Sequence, residues 1–223
     1  LTNEEQMGEG WSDFFSLVMT HKASDKGPDK RGIGTYAIDE PNDGDGIRNF
    51  PYSTSLSINP VTYKDIKTFS VPHGVGSVWC SMLWDMYWDM IDKHGYDSDI
   101  YNGKGGNNMA MKLVIDGMKL QPCNPGFEDG RDAILLADQL NNKSANQELI
   151  WKAFARRGLG YGASQGSAAD RGDGTESFSI PKFDLPTISK TTVSETKNGD
   201  TLVYKIILKN TNSKTIKQLT FSD

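Results

Sequence analysis

One stretch limits what this chain can become. Between 75 and 93, Val78, Trp79, Met82, Leu83, Met86, Tyr87 and Met90 recur at helical spacing, and Trp84, Trp88 and Ile91 widen that face until it nearly encircles the helix. Three of the five tryptophans and three of the eight methionines of the chain fall there. A helix that is apolar on nearly every side has to be surrounded by protein, so the spacing predicts a helical bundle with this segment at its centre. Met and Trp fill such a centre well, which makes packing, not a cofactor groove, the reading of this face. Asp85 and Asp89 interrupt the stretch, and no run of about 18 apolar residues exists, so no membrane span is encoded.

Further helices are expected over 4–20, 107–118, 126–140 and 146–156. The first has Thr2 or Asn3 available as a cap and carries Met7, Trp11, Phe14, Phe15, Val18 and Met19 at helical spacing. Gly95, Asn141-Asn142 and Gly158 stand where helices stop. Between them, 22–31 reads as a charged loop, 32–38 as a short strand, 40–60 as a turn-rich segment and 158–174 as a loop of Gly, Ser and Ala. After Phe183 the helical period is lost, and 191–194 and 201–208 read as strands around an Asn198-Gly199 turn. The expected fold is mainly α, α+β overall. A helical lobe over 1–183 is followed by the start of an appended β-domain over 184–223, whose few strands cannot close a sandwich alone.

Lys and Arg number 24 against 29 Asp and Glu, a formal charge of −5, which argues against a nucleic-acid partner. The first ten residues are acidic and polar, unlike a signal peptide, and the chain opens on Leu1, which reads as an internal position of a longer protein. No His-x-x-x-His pair, Cys-x-x-Cys, phosphate-binding loop or Gly-x-Ser-x-Gly elbow occurs. Cys80 and Cys123 are open to two readings, one disulfide or two thiols. Glu9 and Asp13 lie four apart on the first helix and so share a face beside Trp11, Phe14 and Phe15. That pair suits a metal and a ligating His, or else a solvated acidic stripe.

Several motif blocks then stand in order along the chain. They run Gly8-Glu9-Gly10-Trp11-Ser12-Asp13-Phe14, Gly46-Ile47-Arg48, Pro51-Tyr52-Ser53-Thr54 and Asn59-Pro60-x-x-Tyr63. His73-Gly74-x-Gly76-x-Val78-Trp79, Gln121-Pro122-Cys123-Asn124-Pro125 and Arg131-Asp132-Ala133-Ile134-Leu135 follow, and the series ends with Ile150-Trp151-x-Ala153-Phe154-Ala155-x-Arg157-Gly158-Leu159-Gly160. Over about 3–162 this order resembles the fungalysin family, secreted zinc metallopeptidases of the thermolysin-like group. The resemblance implies the C-terminal helical lobe of such a peptidase, one Zn2+ ion in the full-length protein, protein or peptide substrates and an extracellular location.

It also implies roles for four residues. Glu9 matches the glutamate that supplies the third zinc ligand. Asp13 matches the acid that hydrogen-bonds a zinc-bound imidazole, which would orient that ring and raise its basicity. His73 resembles the histidine that hydrogen-bonds the oxyanion of the tetrahedral intermediate, with a helix-start packing role as its plain alternative. No acid stands at short range in sequence to orient it, Asp65 being uncertain in that role. Arg48 resembles the arginine that binds a substrate carbonyl, with a structural salt bridge as the alternative.

The His-Glu-x-x-His helix of the group is absent from these 223 residues. The family pattern puts it upstream of Glu9, so the missing N-terminal part of the same peptidase domain is the expected partner, and this chain alone should be inactive. Asp39, Asp43 and Asp45 could bind calcium but match no EF-hand loop, and a plain turn is preferred. His21 and His94 read as surface or capping groups. The β-segment suggests a bacterial multidomain exoprotein. Two competing readings are a non-catalytic binding or scaffold module that keeps a peptidase-like lobe, and a processed fragment that reassembles with its N-terminal partner.

Overall fold

The computed structural model describes residues 3–41, 43–183, 187–192 and 204–209. Its contacts divide the chain into two units, 1–180 and 181–223. The first unit holds five helices among its described residues: α1 Gly8–Met19, α2 His73–His94, α3 Gly106–Leu120, α4 Phe127–Asn142 and α5 Gln147–Arg156. The fold is mainly helical, as the periodicity predicts.

The segment that is apolar all round is α2, and it is the core. α1, α3 and α5 pack on it, and α4 lies against α3 and α5. Trp79 joins three of these layers: its ring meets Trp11 edge-on at 5.0 Å, Phe127 of α4 at 5.1 Å and Phe154 of α5 at 5.6 Å. Trp84 stacks on Tyr87 at 5.0 Å. Asp85 interrupts the apolar face because it has a partner. Both it and Arg157 are fully buried, and Arg157 Nε donates to Asp85 Oδ2 at 2.9 Å. The remaining guanidinium nitrogens donate to the carbonyls of Ser53, Asn59 and Val61, which pins the long turn-rich segment to the bundle. Burial pushes the Asp85 carboxyl up, and Arg157 opposes that shift.

α1 begins at Gly8, not at residue 4. Thr2 lies outside the described residues. Asn3 does not cap the helix, because its side-chain amide donates to Pro125 O at 2.6 Å. The Glu4 and Glu5 N–H groups donate to Ala168 O, and Glu5 is drawn into the core by Tyr63 and Phe127. These distant partners hold 3–7 out of the helix. The strand expected over 32–38 is instead a 3-10 turn, Thr35–Ile38, bounded by Gly34 and Asp39 in the left-handed region. Extended pairing there is a single bridge between Arg31 and Tyr52. His21 is half-buried rather than a surface group: it stacks on Tyr96 at 4.6 Å, and burial lowers its pKa. His94 does end α2, where Nε2 meets Asn146 Oδ1 at 2.8 Å. Both cysteines are free, Cys80 buried and Cys123 exposed.

In the second unit, β1 Thr187–Thr192 pairs antiparallel with β2 Tyr204–Lys209, with Thr187 opposite Lys209 and Thr192 opposite Tyr204. The Asn198-Gly199 turn lies outside the described residues, and among the described residues of this unit only this pair of strands appears, so the expected truncated β-sandwich-like segment is not shown.

Candidate active site

Glu9 and Asp13 sit one turn apart on α1, and the helix reaches α2 unusually closely beside them. A Cβ on Gly10 would stand 2.2 Å from Gly76 O, and one on Gly76 would stand 2.8 Å from Glu9 Cβ. Only glycine at both places lets the first turns of α1 and α2 touch. His73 opens α2, so this contact brings its ring toward Glu9. His73 Nε2 lies 3.6 Å from Glu9 Oε2. The acid missing near His73 in sequence is thus found in space, on another helix.

Arg48 arrives from the loop that follows Gly46, whose φ of 74° is in the left-handed region. A Cβ there would sit 2.4 Å from Ile33 O, and the Ile47 N–H donates to that same oxygen at 2.9 Å. Arg48 forks onto Asp13, with Nε to Oδ2 at 2.6 Å and Nη2 to Oδ1 at 2.7 Å. Nη2 also reaches Glu9 Oε2 at 3.2 Å. Two-point pairing of this kind fixes direction as well as charge. The Asp13 hydrogen bond, set against a burial cost, holds the Arg48 pKa well above its ordinary value.

Tyr52 completes the cluster. Its hydroxyl donates to Asp13 Oδ2 at 2.6 Å, and the residue is 1% exposed. Burial first, then the neighbouring Cys80 and Asp13, push the phenol up. Spacing arguments miss Tyr52, because nothing local links position 52 to position 13; its one signal is its place in the Pro51-Tyr52-Ser53-Thr54 block. Asp13 is therefore a buried carboxylate with three donors on its two oxygens. Glu9 is different: its side chain is 37% exposed and His73's is 61% exposed, so an open edge of the cluster faces solvent.

Glu9 and His73 are the two donors at that edge. Among the described residues no three His, Cys, Asp or Glu side chains gather as a metal would require. Four-coordinate zinc needs more ligands than the described residues bring together, while the open carboxylate of Glu9 fits the part of one ligand. Of the calcium candidates Asp39, Asp43 and Asp45, Asp45 pairs with Lys30 at 2.9 Å, and Glu40 Oε2 in the same loop accepts the Gly46 N–H at 2.7 Å. One turn beyond Asp13, α1 also borders an open cleft of about 900 Å³ lined in part by Ser16, Thr20, Arg31 and Tyr36.

Comparison with known proteins bears on this cluster. The family model for the fungalysin metallopeptidases (M36) matches residues 1–163. The chain is 47% identical to extracellular metalloproteinase MEP of Neosartorya fischeri over 176 residues, which is 76% of this chain and 27% of that protein. It is 44% identical to extracellular metalloproteinase mep of Aspergillus terreus over 182 residues, 79% of this chain and 28% of the relative. It is 45% identical to extracellular metalloproteinase 3 of Arthroderma otae over 163 residues, 70% of this chain and 25% of the relative. The chain thus spans about a quarter of the length of the curated relatives it matches. Glu9, Asp13, Arg48 and His73 all lie inside the matched region, and on that match this chain belongs to the fungalysin metallopeptidase family.

Proposed function

We propose that this chain is the C-terminal helical lobe of an exported zinc endopeptidase and that it supplies one wall of the active site. The observation that carries the reading is the convergence of Glu9, Asp13, Arg48 and His73, from two helices and a loop, in one cluster that is open to solvent at Glu9 and His73. Glu9 is the zinc ligand of this lobe. The remaining ligands and the general base belong to a part of the same peptidase domain outside these residues. When bound, zinc supplies Lewis-acid polarisation of a carbonyl and an acidified water.

Each residue of the lobe has a separate task. Asp13, held in place by the Arg48 fork, offers an acceptor to an imidazole N–H brought by the other part. His73 faces solvent beside Glu9, where its ring can donate to an oxygen on which negative charge develops. Arg48 has Nε and Nη2 tied to carboxylates, which leaves Nη1 to meet a substrate carbonyl. Protein or peptide is the substrate, and the cleft beside α1 is where an extended chain would continue. The names of the relatives, extracellular metalloproteinases, support export and peptide-bond hydrolysis.

The test is Glu9→Gln in the full-length protein, read as zinc per molecule after dialysis against a weak chelator. Zinc content and turnover should both fall at least tenfold, since a neutral amide is a poor zinc ligand beside a carboxylate. Full zinc and normal turnover would remove Glu9 from the metal site.

A further inference from the structure

The family match ends at 163, yet the first unit continues to 180. The segment between is a strap, not a free loop. Ser164 and Thr175 exchange backbone hydrogen bonds, and the Gly160 N–H donates to Ser177 O at 2.7 Å. Within the strap, Asp173 Oδ2 accepts the Ser167 N–H and Asp170 Oδ1 accepts the Gly172 N–H. Gly174 lets the strap close on the 3-10 helix Tyr63–Lys67, because a Cβ there would sit 2.6 Å from the Tyr63 hydroxyl.

The strap touches the chain just ahead of both site-bearing helices. Ahead of α1, Ala168 O accepts the Glu4 and Glu5 N–H groups at 2.9 and 3.2 Å. Ahead of α2, Arg171 Nη1 donates to Ile66 O at 3.1 Å and to Phe69 O. The next residue, Ser70, accepts the Val75 N–H of the first turn of α2 at 3.1 Å, and a Cβ on Gly74 would stand 2.9 Å from Phe69 Cβ. The Arg171 side chain thus holds the backbone at 66 and 69, directly ahead of the Ser70 carbonyl that takes the Val75 N–H in the turn His73 opens. Arg171 Nε also lies 3.9 Å from Glu4 Oε2, on the α1 side.

We propose that Arg171 is a positioning residue: by tying the backbone ahead of α2 to the strap that also holds the backbone ahead of α1, it sets where His73 stands relative to Glu9. The proposal rests on the reading of His73 as the donor to the developing oxyanion. A guanidinium suits the task because Nη1 carries two N–H groups, one for each carbonyl, while Nε of the same rigid plane faces Glu4. Misplacing a catalytic donor by about an ångström can cost on the order of a hundredfold in rate.

The experiment is a double-mutant cycle in the full-length protein, with Arg171→Gln, His73→Ala and both together, on an internally quenched peptide. For each variant kcat, KM, bound zinc and the thermal midpoint are read. Arg171→Gln should lower kcat about tenfold with KM and zinc nearly unchanged, and in the His73→Ala background it should cost no more than about twofold. Losses that simply multiply overturn the proposal while leaving the His73 reading intact, and so does wild-type kcat in Arg171→Gln. Normal turnover of His73→Ala overturns both. If Arg171→Gln does not fold, Arg171→Lys takes its place: it keeps the positive charge on a single donor nitrogen and should give a smaller kcat loss, again masked by His73→Ala.

Discussion

Glu5 has no exposed surface, and each of its carboxyl oxygens has a partner: Tyr63 Oη at 2.6 Å and the Phe127 N–H at 2.7 Å. Burial outweighs both bonds, and with Asp173 and Asp129 nearby the carboxyl is raised from 4.5 to about 7. In the unfolded chain it titrates near its ordinary value, so between the two values the folded state binds the extra proton. The stability it adds is present in full below pH 4.5 and is lost as the pH rises through about 7. A shift of that size corresponds to about 3 kcal/mol. Urea unfolding at pH 5 and pH 7.5 should show the loss, and Glu5→Gln should flatten the slope; a slope unchanged in that variant would assign it to other groups. Nothing in the sequence marks Glu5 as buried, since an acid ahead of an amphipathic helix reads as a first-turn acid. Glu9 and Asp13 were legible as a pair, because spacing of four on a helix is enough to put them on one face. The Arg48 fork and the Tyr52 hydroxyl that bind Asp13 were not.

At the scale of elements, the contact between Gly10 and Gly76 does for the site what no side chain could. It sets the distance between α1 and α2 and with it the distance from Glu9 to His73. Gly10→Ala would put a methyl 2.2 Å from Gly76 O, so the helices must part. We expect a cost of about 1–3 kcal/mol in urea unfolding, together with weaker zinc retention in the full-length protein. A variant as stable and as well loaded as the wild type would show that the helices separate freely there. All five helices were legible, two from apolar spacing and three from their bounds and stop residues, and four of them to within two residues at each end. The start of α1 was misread because the competing bonds of residues 3–5 come from Pro125, Phe127 and Ala168. The strand expected over 32–38 failed for a local reason, the left-handed turns at Gly34 and Asp39.

Across the first unit as a whole, Arg157 is the tie. It is buried at the end of α5, paired to Asp85 in the middle of α2, and bonded to three carbonyls of the segment 53–61. Arg157→Met would strip the buried Asp85 of its hydrogen-bonded partner, leaving only Arg156 at 3.8 Å, at a cost of about 3–5 kcal/mol measured by urea unfolding. Restoration of stability by Asp85→Leu in that background would identify the stranded charge as the cause. By itself the sequence determined the family, the helical class, the identity of the central helix and the residues from which a site could be built, since periodicity acts within one element and motif order is read along the chain. It did not determine which groups meet. Asp13 and Arg48 are 35 positions apart, and Asp85 and Arg157 are 72 apart. Hydrogen bonds and ion pairs act over a few ångströms, so only the packing of α1 on α2, with the strap behind them, could turn scattered carboxylates and guanidinium groups into one cluster.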